Sequence, residues 1–431
     1  MRMKKSVFML ITLMLVLSSL LIGCADSETT SKDKEDKKTD GKKVELFSWW
    51  TRGGEADGLN AIIDSFAKSH KDIEVVNATV AGGAGSNAKA VLATRMQGGD
   101  PPDLFQVHAG AELNGSWVES GKMEPLTDLY EEEGWMDKFP ESLISMISSD
   151  GEIYSVPVNI HRGNELWYNK KLFDENGLEV PKTFDDFFKV ADALKKKGIT
   201  PFGFGSKEGW ESLHVFETVL VGTLGVDNYN KLWTGEQKFD SPEVKDALKT
   251  FLKMLSYANE DHPARSWQDA ATLIQEDKAA MTIMGDWLQG YYTSVGMEAN
   301  KDYGYAPSPN NGNIFMVVSD TFALPKGAKN SDAAREFLKV LGSVEGQDAF
   351  NPKKGSIPAR IDAGKGDYSE YLKDQMEEFK TNELTASIAH GSAAKEGFVT
   401  EANKIVNTFV AQKDVDDAAK KLQEAADNNL K

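Results

Sequence analysis

Four of the nine tryptophans in this chain stand beside polar residues at the ends of predicted strands or the starts of predicted helices. Trp49-Trp50 closes a strand-like run and leads into Thr51-Arg52-Gly53-Gly54-Glu55. Ser266-Trp267-Gln268 and Asp286-Trp287 repeat the pairing further along, and Gln106 and His108 end another strand-like run. An indole face covers flat C–H surface, while carboxylate, amide, imidazole and ammonium groups pair with hydroxyls. A pyranose offers both kinds of surface, so these residues point to non-covalent carbohydrate recognition. Trp117, Trp135, Trp167 and Trp233 are read as core or surface-packing residues.

Catalytic signatures do not accompany them. No G-x-x-x-x-G-K-[ST] motif occurs, because each Gly-Lys pair is followed by Lys43, Met123 or Gly366. Gly82-Gly83-Ala84-Gly85 follows a strand but reads as a turn. The sequence has no H-E-x-x-H, no calcium-loop spacing and no G-x-S-x-G elbow. Its histidines (His70, His108, His161, His214, His262, His390) lie far apart, so a metal site would need long-range convergence, and the carbohydrate-binding reading implies no metal or organic cofactor. The 67 acidic residues leave room for a glycosidase-type carboxylate pair, yet spacing singles none out. The expectation is a binder, not an enzyme.

Alternating elements must position these groups. Val44 to Trp50 alternates like a strand, and Leu59, Ile62, Ile63 and Phe66 fall on one helical face. Ile73 to Val80 reads as a second strand, and about Asn87 to Met96 as a helix with Val91 and Leu92 inward. Leu104 to Val107 is a third strand. Short connections between strand, helix and strand predict a parallel α/β lobe, with ligands beyond the carboxyl ends of its strands. Helices begin at Thr183 and at Ser241-Pro242, a short strand spans Ala280 to Met284, and 394–428 reads as helical throughout.

With 431 residues, 40% of them hydrophobic, the chain has globular composition and the length for two or three domains. Lys and Arg number 49 against the 67 acids, and a net charge of −18 repels nucleic acid, which is therefore not an expected partner. The single cysteine excludes internal disulfides. Residues 1–23 carry Arg2, Lys4 and Lys5, then an apolar run, then Leu21-Ile22-Gly23-Cys24, the pattern of a secretory signal. Residues 24–43 contain almost no apolar group and are read as a flexible tether.

Several segments carry a family resemblance: SWWTRGGEADGL, QGGDPPDLFQVHAG, VPVNIHRGNELWYNKKLF, RSWQDA, TIMGDWLQGYY, SDTFALPKGA and KKGSIPAR. They resemble family-one extracellular solute-binding proteins of bacterial ABC importers, most of all the glucose/mannose-type sugar-binding lipoproteins. The Leu-Ile-Gly-Cys run is similar to a lipobox, which implies lipid on Cys24 and anchoring to the outer face of the cell membrane. The resemblance implies an α/β, two-lobed periplasmic-binding-protein-like fold with hinge crossovers and a ligand cleft between lobes. Crossovers would fall near Val156-Pro157-Val158-Asn159, near Val318-Ser319-Asp320 and after Arg360. Lobe one would be 44–157 with 318–365, and lobe two 158–317 with 366–431. It also implies a substrate set of Trp49, Trp50, Glu55, Gln106, His108, His161, Trp267, Asp286, Trp287, Asp320, Lys354 and His390. Trp210, in a Ser-Lys-Glu-Gly-Trp loop that departs from the family, stays outside that set. The implied function is capture of a monosaccharide, a glucose-like hexose, by a monomer that delivers it to the permease subunits of an ABC transporter. An oligosaccharide receptor and a secreted carbohydrate-active enzyme are the alternatives. Trp50→Ala is expected to weaken sugar binding strongly and leave folding intact.

Overall fold

The computed structural model describes residues 42–430. The signal at 1–23, Cys24 and the tether as far as residue 41 lie outside them. Lys42 and Lys43, assigned above to the tether, belong to the first strand. Lys42 and Lys43 pair with Ile73 and Glu74 of the neighbouring strand, which requires only backbone groups, so an apolar side chain is not needed there. No helix among the described residues is long and apolar enough to cross a membrane.

Two sheets carry most of the molecule. The first has five strands in the order Ile73–Asn77, Lys42–Phe47, Leu104–His108, Asp320–Ala323 and Ser155–Pro157. Its first three strands run parallel, as the strand–helix–strand pattern requires; Asp320–Ala323 runs against them, and Ser155–Pro157 pairs antiparallel with Asp320–Ala323. The second sheet orders Tyr303–Pro307, Glu165–Asn169, Ala279–Ile283 and Thr200–Phe202. A short third sheet links them with Ile357–Pro358, Asn159–Arg162, Ile314–Val318 and Glu383–Ala386. The chain leaves the first sheet at Val158 and re-enters it after Ser319, each a single residue between strands of different sheets.

Local sequence explains the helices. Leu59, Ile62 and Phe66 are the buried face of Gly53–Ser69, and Ile63 sits at its margin. Thr183 and Ser241 cap their helices by accepting the N–H of Asp186 and Val244. Two expectations need correction. In Ala88–Gly98 the inward residues are Ala88, Leu92 and Met96; Val91 is exposed, because adjacent residues on a helix turn 100° apart and only one can face the sheet. The C-terminal stretch is two helices, Glu396–Gln412 and Val415–Asn429, divided where Lys413 adopts φ +62° and Asp414 caps the second one.

Glycine lets three helices touch backbone to backbone. A Cβ at Gly54 in Gly53–Ser69 would stand 2.3 Å from the Lys353 carbonyl oxygen at the end of Val344–Lys354. A Cβ at Gly290 in Trp287–Ser294 would stand 2.3 Å from the Lys354 carbonyl oxygen. The first two helices flank the five-stranded sheet, whereas the third follows a strand of the second sheet. Their contact brings Glu55, Lys354 and Trp287 to one place.

Candidate functional site

Trp49 and Trp50 lie just past the carboxyl end of Lys42–Phe47, and Glu55 follows in the first turn of the next helix. Trp50 is clamped from behind by Phe350 and Phe322, with ring centroids at 5.0 and 5.8 Å. The Lys354 ammonium sits 5.5 Å from the Trp50 ring and 3.4 Å from the Glu55 carboxylate. Gln106 and His108 are two apart on one strand and so point to the same face. The His108 ring tilts across Trp49 at 5.1 Å.

From the second side come Trp267, first residue of a helix capped by Ser266, and Trp287, which opens Trp287–Ser294 after Asp286. Gly285 allows that approach, since a Cβ there would meet the Trp287 ring at 2.2 Å. Trp287 lies against His390 at 5.0 Å and edge-on to His161 at 5.4 Å. Trp49, Trp50, Glu55, His108, His161, Trp267, Trp287, Asp320, Lys354 and His390 line one cleft. Its free space is about 350 Å³ with the open mouth counted.

Asp320 is the electrostatic centre. Its Oδ1 accepts from Gln106 Nε2 at 2.7 Å and its Oδ2 from Asn159 Nδ2 at 2.9 Å, while its backbone N–H donates to Asn159 Oδ1. Burial would raise its pKa, but the hydrogen bond from His161 and the charges of Lys354 and His108 outweigh burial and hold the carboxyl far below its usual range. His161 is raised: burial works against its cation, and the adjoining Asp286 carboxylate overcomes that. Glu55 goes the other way from Asp320, since desolvation in the cleft raises it despite Lys354. His108 is held through Nδ1 by Glu112 at 2.7 Å, which also takes Lys89 at 3.0 Å. Gln106 and Asp286 do not reach the cleft. Each stands one layer back, Gln106 on Asp320 and Asp286 on Nδ1 of His161 and the N–H of Arg162.

A model of the bacterial extracellular solute-binding protein family matches residues 52–348. The chain belongs to that family. An uncharacterized ABC transporter extracellular-binding protein of Pyrococcus horikoshii is 38% identical over 96% of this chain and 94% of its own length. A probable sugar-binding periplasmic protein of Brucella melitensis is 30% identical over 88% and 91%. Among solved structures, the bacterial solute receptor AcbH superposes with TM-score 0.81 at 20% identity, covering 90% of this chain and 99% of that one. The fold of this solute-binding protein is therefore the two-lobed α/β arrangement expected from sequence.

Trp210 lies outside the expected set, yet it lines the cleft of this solute-binding protein. The extra charge beside it is part of the reason: Glu208 Oε2 accepts the Trp210 indole N–H at 3.2 Å and the Gly83 backbone N–H at 2.7 Å. Gly83 belongs to the loop after a strand of the first sheet, so Glu208 ties the two sides of the cleft together. His214 and Glu217 were also missed. With His390 they set three ligating atoms within 4.8 Å of one another, a grouping that could hold a metal ion. Their His-x-x-Glu spacing on one helix face was visible, but nothing in sequence placed His390 beside it. A roomier furrow, about 1040 Å³ with its open mouth counted, runs between Glu396–Gln412 and Val415–Asn429, but it shares no residue with the tryptophan-lined cleft.

Proposed function

We propose that this protein is the substrate-binding lipoprotein of an ABC sugar importer, and that it captures a glucose-like hexose between its lobes for delivery to the permease. The observation that carries the reading is the convergence of five indoles with Asp320, Lys354 and three imidazoles around one small cleft. Stacking faces on several sides with buried, pre-ordered polar groups suit a single pyranose ring. The Brucella relative is called sugar-binding, and AcbH is described as preferring galactopyranose, which supports the same class of ligand. No covalent step is involved. Parted lobes admit the sugar, indoles cover its faces, polar groups replace its water, and closure makes the surface the permease reads.

Lobe one is then 44–157, extended at its start by Lys42 and Lys43 of the first strand, with 318–365, and lobe two is the remainder to 431; strands switch sheets at Val158 and Ser319. Cys24 carries the lipid that keeps the monomer at the outer face of the cell membrane. Calorimetric titration of the refolded protein with glucose, galactose, mannose, xylose and maltose tests the reading. One-to-one binding of one hexose without turnover supports it; binding of maltose alone favours an oligosaccharide receptor, and silence across the panel overturns it.

One observation favours a second reading. Glu55 and Asp320 share the cleft with acidities pushed in opposite directions, the arrangement that separates acid from base in glycoside hydrolysis. Asp320 is committed to Gln106 and Asn159, and Glu55 to Lys354. Release of free sugar from aryl glycosides of the same hexoses would establish that reading.

A further inference from the structure

Glu217, on the helix Trp210–Thr234, is fully buried behind His390. Its Oε2 accepts the backbone N–H groups of Ile388 at 2.6 Å and Ala389 at 3.0 Å. Its Oε1 accepts the Ser387 hydroxyl at 2.7 Å. A carboxylate can only accept, so the Ser387 proton is directed at Glu217. The same Ser387 Oγ lies 3.0 Å from Nδ1 of His390 and 3.2 Å from the His390 backbone N. With its proton committed, Ser387 can only accept, and Nδ1 must carry the proton between them.

His390 is neutral. Burial disfavours its cation most, the neighbouring His214, His108 and Lys89 add to that, and its pKa is held well below the ordinary value. A neutral imidazole has one N–H, so a protonated Nδ1 leaves a bare lone pair on Nε2, on the side of the ring away from Ser387. The other imidazoles lining the cleft differ. His108 and His161 are held through Nδ1 by carboxylates, and their Nε2 atoms face Asp320 at 3.8 and 3.5 Å. A metal ion is the weaker account of this cluster, because the Ser387 hydroxyl stands between Glu217 and His390, whose nearest ligating atoms are 4.0 Å apart.

We propose that Glu217 and Ser387 are positioning residues which fix the tautomer of His390, so that Nε2 accepts a hydrogen bond and the captured sugar must present a free hydroxyl to it. A glycosidic or methylated oxygen has no proton to give, so the ligand is unsubstituted at that position and a sugar chain cannot continue through it. The ligand requirement rests on the sugar-receptor reading; the tautomer does not.

Two measurements on the full chain separate them. In protein labelled with 15N-histidine, long-range 15N–1H spectra report which ring nitrogen is protonated, and His390→Asn identifies the His390 signals. The wild type is expected to show protonated Nδ1 and bare Nε2. Glu217→Gln places an NH2 group against Ser387, turns the hydroxyl toward Nδ1 and is expected to move the proton to Nε2. A wild-type Nε2–H overturns the proposal, as does an unchanged tautomer in the folded variant; if Glu217→Gln does not fold, Ser387→Ala and the wild-type spectrum decide. Against monodeoxy, monofluoro and mono-O-methyl analogues of the bound hexose, one position is expected to lose about tenfold in affinity in all three forms. Fluorine accepts but does not donate, so retention by the fluoro analogue at every position overturns the hydroxyl requirement. If no sugar binds, the receptor reading fails and the spectra still settle the tautomer.

Discussion

Gln106 joins Trp49 to Asp320: its Oε1 accepts the Trp49 backbone N–H at 3.2 Å, and its Nε2 donates to Asp320 Oδ1 at 2.7 Å. One buried amide thus sets both an indole wall and the central carboxylate. Replacing it by the similar-sized Gln106→Leu leaves the Trp49 N–H unpaired and removes a donor from a charged acceptor. The expected loss is about 1–3 kcal/mol of stability and about tenfold in sugar affinity, read by urea unfolding and by calorimetric titration. Unchanged affinity would leave Gln106 as a packing residue.

Trp50→Ala is no longer expected to spare folding. Trp50 is 1% exposed and wedged between Phe322 and Phe350. Removing it costs about 3–5 kcal/mol, so lost binding in that variant would not separate contact from collapse. Trp50→Phe keeps a ring in the slot and gives up part of the stacking surface. Binding should weaken by about tenfold with folding cooperativity retained, checked by titration beside a thermal melt.

Glu208 holds Gly83 and the Trp210 indole on one exposed carboxylate oxygen. Glu208→Ala is expected to leave stability nearly unchanged and to speed sugar release about two- to tenfold, because the Gly83 bond it removes forms only when the two sides meet. Stopped-flow tryptophan fluorescence reads the rate. An unchanged rate with unchanged affinity would remove Glu208 as a clip.

His390 predicts a pH dependence whose sign follows from its depressed pKa. The unfolded imidazole takes up a proton below about 6.5 and the folded one does not, so its contribution is complete above that value and lost as pH falls. Glu55 and His161 have raised values and act in the opposite sense. Comparison with His390→Asn isolates the one group: melting temperature of the wild type should fall more steeply between pH 7 and pH 5 than that of the variant. Parallel curves would contradict a neutral buried His390.

Residues that end strands were legible, because alternation and turn residues mark where a strand stops. Trp49, Trp50 and Glu55 could be placed at the cleft on that ground, as could Trp287. Depth was not legible. Gln106 and Asp286 have the same local pattern as cleft residues, and only the register of Asp320 opposite His108 and the crossing of Asn159–Arg162 show that they stand behind it. Trp210 was obscured by charges whose partner, Gly83, lies 125 residues away in sequence from Glu208. The division at Lys413 carries no glycine or proline, and depends on a non-glycine residue in a left-handed conformation that local pattern does not announce.

Gly54 and Gly290 are absent from the lining of the cleft, yet one methyl group at either would drive a wedge between helices that meet with no side chain between them. Their effect on function is one of tolerance: the fit that gathers Glu55, Lys354 and Trp287 has no slack to absorb an added carbon. Drift at these two sites is therefore closed to every other amino acid for reasons of machining, and a receptor redesigned for a different solute can change its cleft freely only while both remain glycine.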